Sequence, residues 1–210
     1  NNISMIAETY ETLHEDLPQR EGLEMMRQIQ KECGRIHDIV TSLLDFSKPK
    51  VASMRPVAVN TLVQETLPLV RNMLHVSNID LELHLAEDSP LVLADVSQMH
   101  QVLINLITNA IQSMGTNGHL RVTTEGEADL ARIIISDNGQ GIPPDALPHI
   151  FDPFFSTKGT EGTGLGLSVS YGIVKNHNGR LSVQSAVGEG TSCLIELPAL
   201  PPTEVFHAGA

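Results

Sequence analysis

The sequence predicts a two-layer α/β sandwich, a mixed sheet with helices on one face, preceded by an all-α helical hairpin that forms a dimeric four-helix bundle. Three observations predict it. Apolar residues within positions 1–48 recur at alternating spacings of three and four. From about residue 57, stretches of period two alternate with stretches of helical period. Between the two regimes, Lys48-Pro-Lys-Val-Ala-Ser-Met-Arg-Pro56 has two prolines and no periodicity. The expected organisation is a hairpin at 1–48, a linker at 49–56, a second domain at 57–198 and a tail or linker at 199–210.

In the hairpin, Ile3, Ile6, Tyr10, Leu13 and Leu17 form one seam, and Met26, Ile29, Cys33, Ile36, Val40 and Leu43 form another. Turn and helix-start signals at 16–22 join them. Two helices alone bury little, so a homodimer through residues 1–48 is the economical solution. The alternative is packing of the hairpin on its own downstream domain.

In the second domain, Asn60 reads as the N-cap of a helix running to about Ser77, with Pro68 kinking it. Ile79, Leu81, Leu83 and Leu85 alternate with polar residues as a half-buried strand, and Leu91–Ala94 forms a short one. Asp95, followed three positions on by Gln98, starts a central helix that ends at Met114. Strands at 120–124 and 131–136, a helix at 165–177 and strands at 181–185 and 191–197 complete the layer pair.

Composition narrows the function classes. A net charge of −12 argues against a nucleic-acid binder. An anionic ligand therefore needs local help from a metal, a lysine or a helix N-terminus. Cys33 and Cys193 read as buried free thiols of a reducing compartment. No stretch approaches the roughly 20 apolar residues of a membrane span, so membrane attachment is expected only through segments upstream of Asn1, and the chain is expected to be cytoplasmic.

Four short blocks then occur in fixed order. Asn105 and Asn109, four apart, share one face of an otherwise apolar helix. Buried amides left without partners cost about 1–3 kcal/mol each, and a Mg²⁺ with its waters and a triphosphate would satisfy them. Asp137, at the end of the apolar run 133–135, can accept a hydrogen bond from an exocyclic amine, while Gly139 and Gly141 let backbone approach a flat ring. Phe151-Asp-Pro-Phe-Phe155 places three aromatics at the base of a segment whose Gly159, Gly162 and Gly164 supply hinges, with Lys158 within reach of a phosphate. Gly162-Thr163-Gly164-Leu165-Gly166 leads into a helix, whose free N–H groups attract phosphate. Thr191 opens the last strand and can reinforce the base contact. The blocks describe a nucleotide pocket with a metal ligand, a base reader and a phosphate cradle.

With these residues assembled, 57–198 resembles the ATP-binding domain of sensor histidine kinases, within the gyrase, heat-shock-protein-90, histidine kinase and MutL superfamily. The hairpin, ending Leu43-Leu-Asp-Phe-Ser47, is similar to that family's dimerisation and phosphotransfer bundle. The resemblance implies that Asn109 ligates Mg²⁺ and that Asp137 reads the adenine amine. It also implies that Lys158 and the glycines at 162, 164 and 166, with Thr163 and Leu165, hold phosphates under a lid at about 152–163. Hydrolysing relatives carry a glutamate base where this chain has Asn105, which cannot take a proton. Slow hydrolysis and transfer to an imidazole are therefore implied, with ATP and Mg²⁺ as cofactors and a response-regulator receiver domain as partner.

The family's acceptor histidine lies in a His-Glu-x-x-Asn-Pro pattern. Asn1-Asn-Ile-Ser-Met-Ile6 resembles its end, with Asn2 in place of proline, which would put the acceptor about four residues before Asn1. His14-Glu15 imitates the motif but sits beside the turn and is read as a decoy. Two competing readings remain: an ATP-binding switch or response-regulator phosphatase without autokinase activity, and an anti-sigma-type kinase acting on serine. The hairpin argues against the second of these.

Overall fold

The structure, a computed structural model, describes residues 53–127, 129–156 and 163–201, together with Gly22, Met26, Ile29 and Cys33. The chain divides into two compact units, Asn1–Ser47 and Lys48–Ala210. Of the first unit, the four described residues are helical. Ile29 and Cys33 are exposed, so the expectation of a buried Cys33 thiol is corrected. A seam position is buried only by a second helix against it, and in the single chain Cys33 is not covered. The rest of the hairpin, including His14, lies outside the described residues.

The second unit runs β1 (Arg55–Ala58), α1 (Val59–Val76), β2 (Asp80–His84), β3 (Leu91–Ala94), α2 (Val96–Met114), β4 (His119–Glu127), β5 (Leu130–Asp137), α3 (Gly166–Asn176), β6 (Arg180–Ala186) and β7 (Gly190–Pro198). A five-stranded sheet has the order β2-β4-β5-β7-β6. Its β2–β4 pair is parallel and the others are antiparallel, so the sheet is mixed as expected. Leu120, Val122, Ile133, Ile135, Ile195 and Leu197 project from one face and are buried. This is the period-two arithmetic of a sheet packed on one side. The central helix α2 covers that face, flanked by α1 and α3.

Four expectations are corrected. Arg55 and Pro56 are strand rather than linker: β1 pairs antiparallel with β3 in a separate two-stranded sheet. On the other side of β3, Ala199 bridges Val92, and the Leu200 N–H donates to the Leu91 carbonyl at 2.7 Å. Residues 199 and 200 therefore belong to the fold, because buried strand carbonyls need partners. Leu83 is 42% exposed, since β2 is an edge strand and only part of its alternating set reaches the core. Asn60 is not the N-cap of α1. Ala58 takes that position without a side-chain bond.

The freed donors of α1 find acceptors in the loop before β3 instead. Val59 N–H donates to the Pro90 carbonyl at 3.1 Å and Asn60 N–H to Ser89 Oγ at 3.0 Å. The Asn60 side chain ties that loop to the sheet, donating to the Ala86 carbonyl and accepting from Thr124 Oγ1. The helix continues through Pro68 to Val76.

Asp95 caps α2 as its sequence predicts, accepting from the Gln98 N–H at 3.1 Å and from Ser97 Oγ at 2.7 Å. Burial pushes its carboxyl up. Hydrogen bonds from Ser97 Oγ and from the backbone N–H groups of Gln98, Ser53 and Ser97 outweigh this and hold it below the ordinary aspartate value.

Candidate nucleotide-binding site

The described residues of the four blocks come together around α2, the end of β5 and the start of α3. Asn105 and Asn109 lie on α2 and are both half-buried. They alternate along the helix with three buried apolar pairs: Val102 and Leu103, Leu106 and Ile107, Ala110 and Ile111. The Asn105 amide reaches across to α3, where Nδ2 donates to the Gly166 carbonyl and to Ser170 Oγ, each at 3.3 Å. Asn109 keeps its place one turn on, as the helical spacing requires.

Asp137 is the last residue of β5, on the buried side of the sheet, directly opposite Thr191 of β7. Its Oδ1 accepts from the Gly139 N–H and from Ser113 Oγ of α2, both at 2.9 Å. The carboxylate is thereby oriented by the strand's own turn and by the helix above it. Its charge is felt locally: burial and then the Asp137 carboxylate push the Cys193 thiol up to about 12. Cys193 is free, as expected, and protonated at neutral pH.

Glycine is required at two points here. Gly139 is buried, and a Cβ on it would lie 2.2 Å from Ser113 Oγ. Gly141 has φ +71°, and its Cβ would lie 2.0 Å from the Ala186 carbonyl oxygen. The turn after β5 is thus pressed against α2 on one side and the β6–β7 turn on the other. Ser185 fastens the latter contact: Oγ accepts from the Ile142 N–H at 2.9 Å, donates to the Gly190 carbonyl at 2.8 Å, and lies 2.9 Å from Thr191 Oγ1.

The aromatic block divides its labour. The Phe151 ring packs on Tyr171 of α3 at 4.9 Å between centroids, and Phe155 on His149 at 5.7 Å. Phe154 does not anchor anything: it is 64% exposed. Its φ is +68°, a conformation that bulky residues rarely adopt. The Phe154 N–H donates to the Gly164 carbonyl at 3.0 Å, and a Cβ on Gly164 would lie 2.4 Å from the Phe154 carbonyl carbon. The two ends of the loop meet there, backbone to backbone. Thr163, Gly164 and Leu165 precede α3, and Leu165 is buried at its N-cap. Lys158 and Gly162 lie outside the described residues.

Sequence reasoning missed Ser113, Ser170, Ser185 and His177. His177 is buried, with Nδ1 2.8 Å from the Ile173 carbonyl and Nε2 3.0 Å from the Asp95 N–H. A carbonyl only accepts and an N–H only donates, so Nδ1 is the donor of this ring and Nε2 the acceptor. Its Nε2 accepts from the N–H of the α2 N-cap residue, which ties the end of α3 to the start of α2.

Among the described residues, no group of three or more histidine, cysteine, aspartate or glutamate side chains is placed to hold a metal ion. The hard oxygens of the α2 asparagines fit a Mg²⁺ that keeps waters and phosphate oxygens as its other ligands, rather than an all-protein cage. The glycine turn beside a carboxylate, and the open first turn of α3, fit a purine nucleotide. No helix among the described residues is long and apolar enough to cross a membrane.

Residues 94–201 match the family described as histidine kinase-, DNA gyrase B-, and HSP90-like ATPases. The chain is 36% identical over 178 residues to sensor histidine kinase ZraS of Escherichia coli K12, covering 85% of this chain and 38% of that protein. It is 36% identical over 171 residues to sporulation kinase E of Bacillus subtilis 168, covering 81% of this chain and 23% of that protein. The chain thus spans under half the length of these relatives. Among solved structures, histidine kinase ThkA in complex with response regulator TrrA aligns at TM-score 0.77 and 29% identity, over 97% of this chain and 59% of that one. Full-length ShkA in complex with AMPPNP aligns at TM-score 0.71 and 25% identity, over 86% of this chain and 39% of that one.

Proposed function

We propose that this chain, which belongs to the family of histidine kinase-, DNA gyrase B-, and HSP90-like ATPases, is the core of a two-component protein-histidine kinase. It binds ATP, passes the γ-phosphoryl group to a histidine, and hands it on to a response-regulator aspartate. The observation that carries this reading is the Asn105–Asn109 face of α2 beside an Asp137 carboxylate oriented by Ser113 and Gly139. ShkA's complex with AMPPNP and ThkA's complex with TrrA support a nucleotide and a receiver partner for this chain too.

In this reading Asp137 accepts from the adenine amine, and Thr191, opposite it, lines the same end of the pocket. Asn109, helped by Asn105, holds Mg²⁺, which when bound neutralises phosphate charge and fixes the triphosphate. Lys158 and the segment 162–166 hold the phosphates. Asn105 cannot remove a proton from water, so the pocket favours transfer to a nucleophile that needs no deprotonation before it attacks, the unprotonated nitrogen of an imidazole, over hydrolysis. Residues 1–48 supply the homodimer contact, and the acceptor is the histidine of the His-Glu-x-x-Asn-Pro pattern whose end Asn1-Asn-Ile-Ser-Met-Ile6 resembles, with Asn2 in place of the proline.

The test uses γ-labelled ATP with Mg²⁺ on this chain and on one extended upstream by about ten residues. An acid-labile, base-stable label on the extended chain alone is the expected result. Label on the present chain would implicate His14 or another internal residue. ATP binding without label on either would favour a nucleotide-dependent switch or phosphatase.

A further inference from the structure

Two groups on α3 hold the Asn105 amide, and their chemistry fixes which way it faces. The Gly166 carbonyl has lone pairs and no hydrogen, so the Asn105 atom 3.3 Å from it must be the nitrogen. The second Nδ2 contact is Ser170 Oγ, also at 3.3 Å. With both amide hydrogens turned to α3, Oδ1 faces away from it, and among the described residues Oδ1 accepts no hydrogen bond. Gly166 and Ser170 are four apart on one helix face, and the amide lies against that face: its Cγ would stand 3.8 Å from a Cβ at 166, an ordinary contact.

Ser170 is 0% exposed. A hydroxyl at a helix position facing another helix is costly to bury without a partner, and its partner here is Asn105. An alanine would carry no such cost.

We infer that Ser170 is a positioning residue. Together with the Gly166 carbonyl, it holds the Asn105 amide so that only its oxygen is offered to the ligand. Asn105 then works as an acceptor, suited to a metal, a metal-bound water or the N–H of an imidazole, and not as a donor to phosphate oxygens. The inference deepens the kinase reading and rests on it for its rate arm; its spectroscopic arm stands without it.

The experiment follows the Asn105 side-chain NH₂ pair in ¹⁵N-labelled protein, assigned by its disappearance in Asn105→Asp. In Ser170→Ala the pair is expected to shift towards free-amide values; in Ser170→Thr, which keeps the hydroxyl, it is expected to stay. In the chain carrying the acceptor histidine, Ser170→Ala is expected to slow phosphorylation at saturating ATP by roughly two- to twelvefold, the fold-change of one hydrogen bond, with ATP affinity within about twofold of wild type. An NH₂ pair that does not move in Ser170→Ala overturns the inference. So does a moved pair with an unchanged rate, or a rate that falls only in step with affinity. Wild-type protein that binds no ATP would instead overturn the kinase reading, while the NH₂ shifts still decide what Ser170 does.

Discussion

Replacing Asp137 by asparagine changes almost no volume and tests the pocket at its base-reading end. Oδ1 already accepts from the Gly139 N–H and from Ser113 Oγ. Because that backbone N–H needs an acceptor, the amide oxygen of Asp137→Asn takes the Oδ1 place and the NH₂ takes the other. A purine amine arriving there meets a donor instead of a carboxylate oxygen. Losing a hydrogen bond to a charged group is worth about 1.5–3 kcal/mol, or roughly 10- to 150-fold in the dissociation constant. Isothermal titration with ATP and Mg²⁺ reads that change.

A second readout is internal to the protein. The Asp137 carboxylate is the lesser of two causes that push the Cys193 thiol up to about 12, after burial. In a Cys33→Ser background, Asp137→Asn is expected to lower the Cys193 pKa while leaving it above that of an ordinary thiol. Alkylation by iodoacetamide at a fixed pH near 8.5 should then run faster, because the thiolate fraction rises. An ATP affinity within twofold of wild type, with the Cys193 change present, would refute Asp137 as the base reader. The thiol result establishes that the charge was removed, so an unchanged affinity could not be put down to a silent substitution.

Other expectations concern the frame around the pocket. Gly141→Ala forces a Cβ against the Ala186 carbonyl at positive φ and is expected to destabilise the domain by about 2–5 kcal/mol in urea denaturation. Gly166→Ala meets nothing closer than the Asn105 amide at 3.8 Å, so its stability should match or slightly exceed wild type, and any loss should appear in nucleotide affinity. His177→Leu orphans the buried Asp95 N–H and is expected to cost about 1–3 kcal/mol of stability, with His177→Gln, which can donate and accept, recovering part of it. Hydrogen bonds from His84, Arg121 and His119 lower the Glu82 carboxyl from 4.5 to about 2. A depressed carboxylate stabilises the fold above its unfolded pKa and stops doing so as pH falls through the folded one. The difference in melting temperature between wild type and Glu82→Gln should therefore shrink between about pH 4.5 and pH 2.

Some of this protein is determined by the sequence alone, and the reason is the range of the interactions involved. Asp95 caps α2 through an N–H three residues away, and the asparagines at 105 and 109 share a face because a helix turns once in 3.6 residues. The strands at 120–124, 131–136 and 191–197 are legible as short apolar runs, though not which face each buries, and the glycines at 139 and 141 follow from the turn they must make. What only the tertiary structure decides is set by partners far along the chain. Asn60 caps nothing because Ser89 and Pro90 reach the start of α1 first, and Pro56 is strand because β3 pairs with it. The exposed Phe154 is fixed by its backbone contact with Gly164 across the loop. Ser170 is 65 residues from Asn105 and His177 is 82 from Asp95. No local spacing rule couples such pairs. They acquire their roles only when α2 and α3 pack side by side and each buried polar atom must find a partner on the other helix.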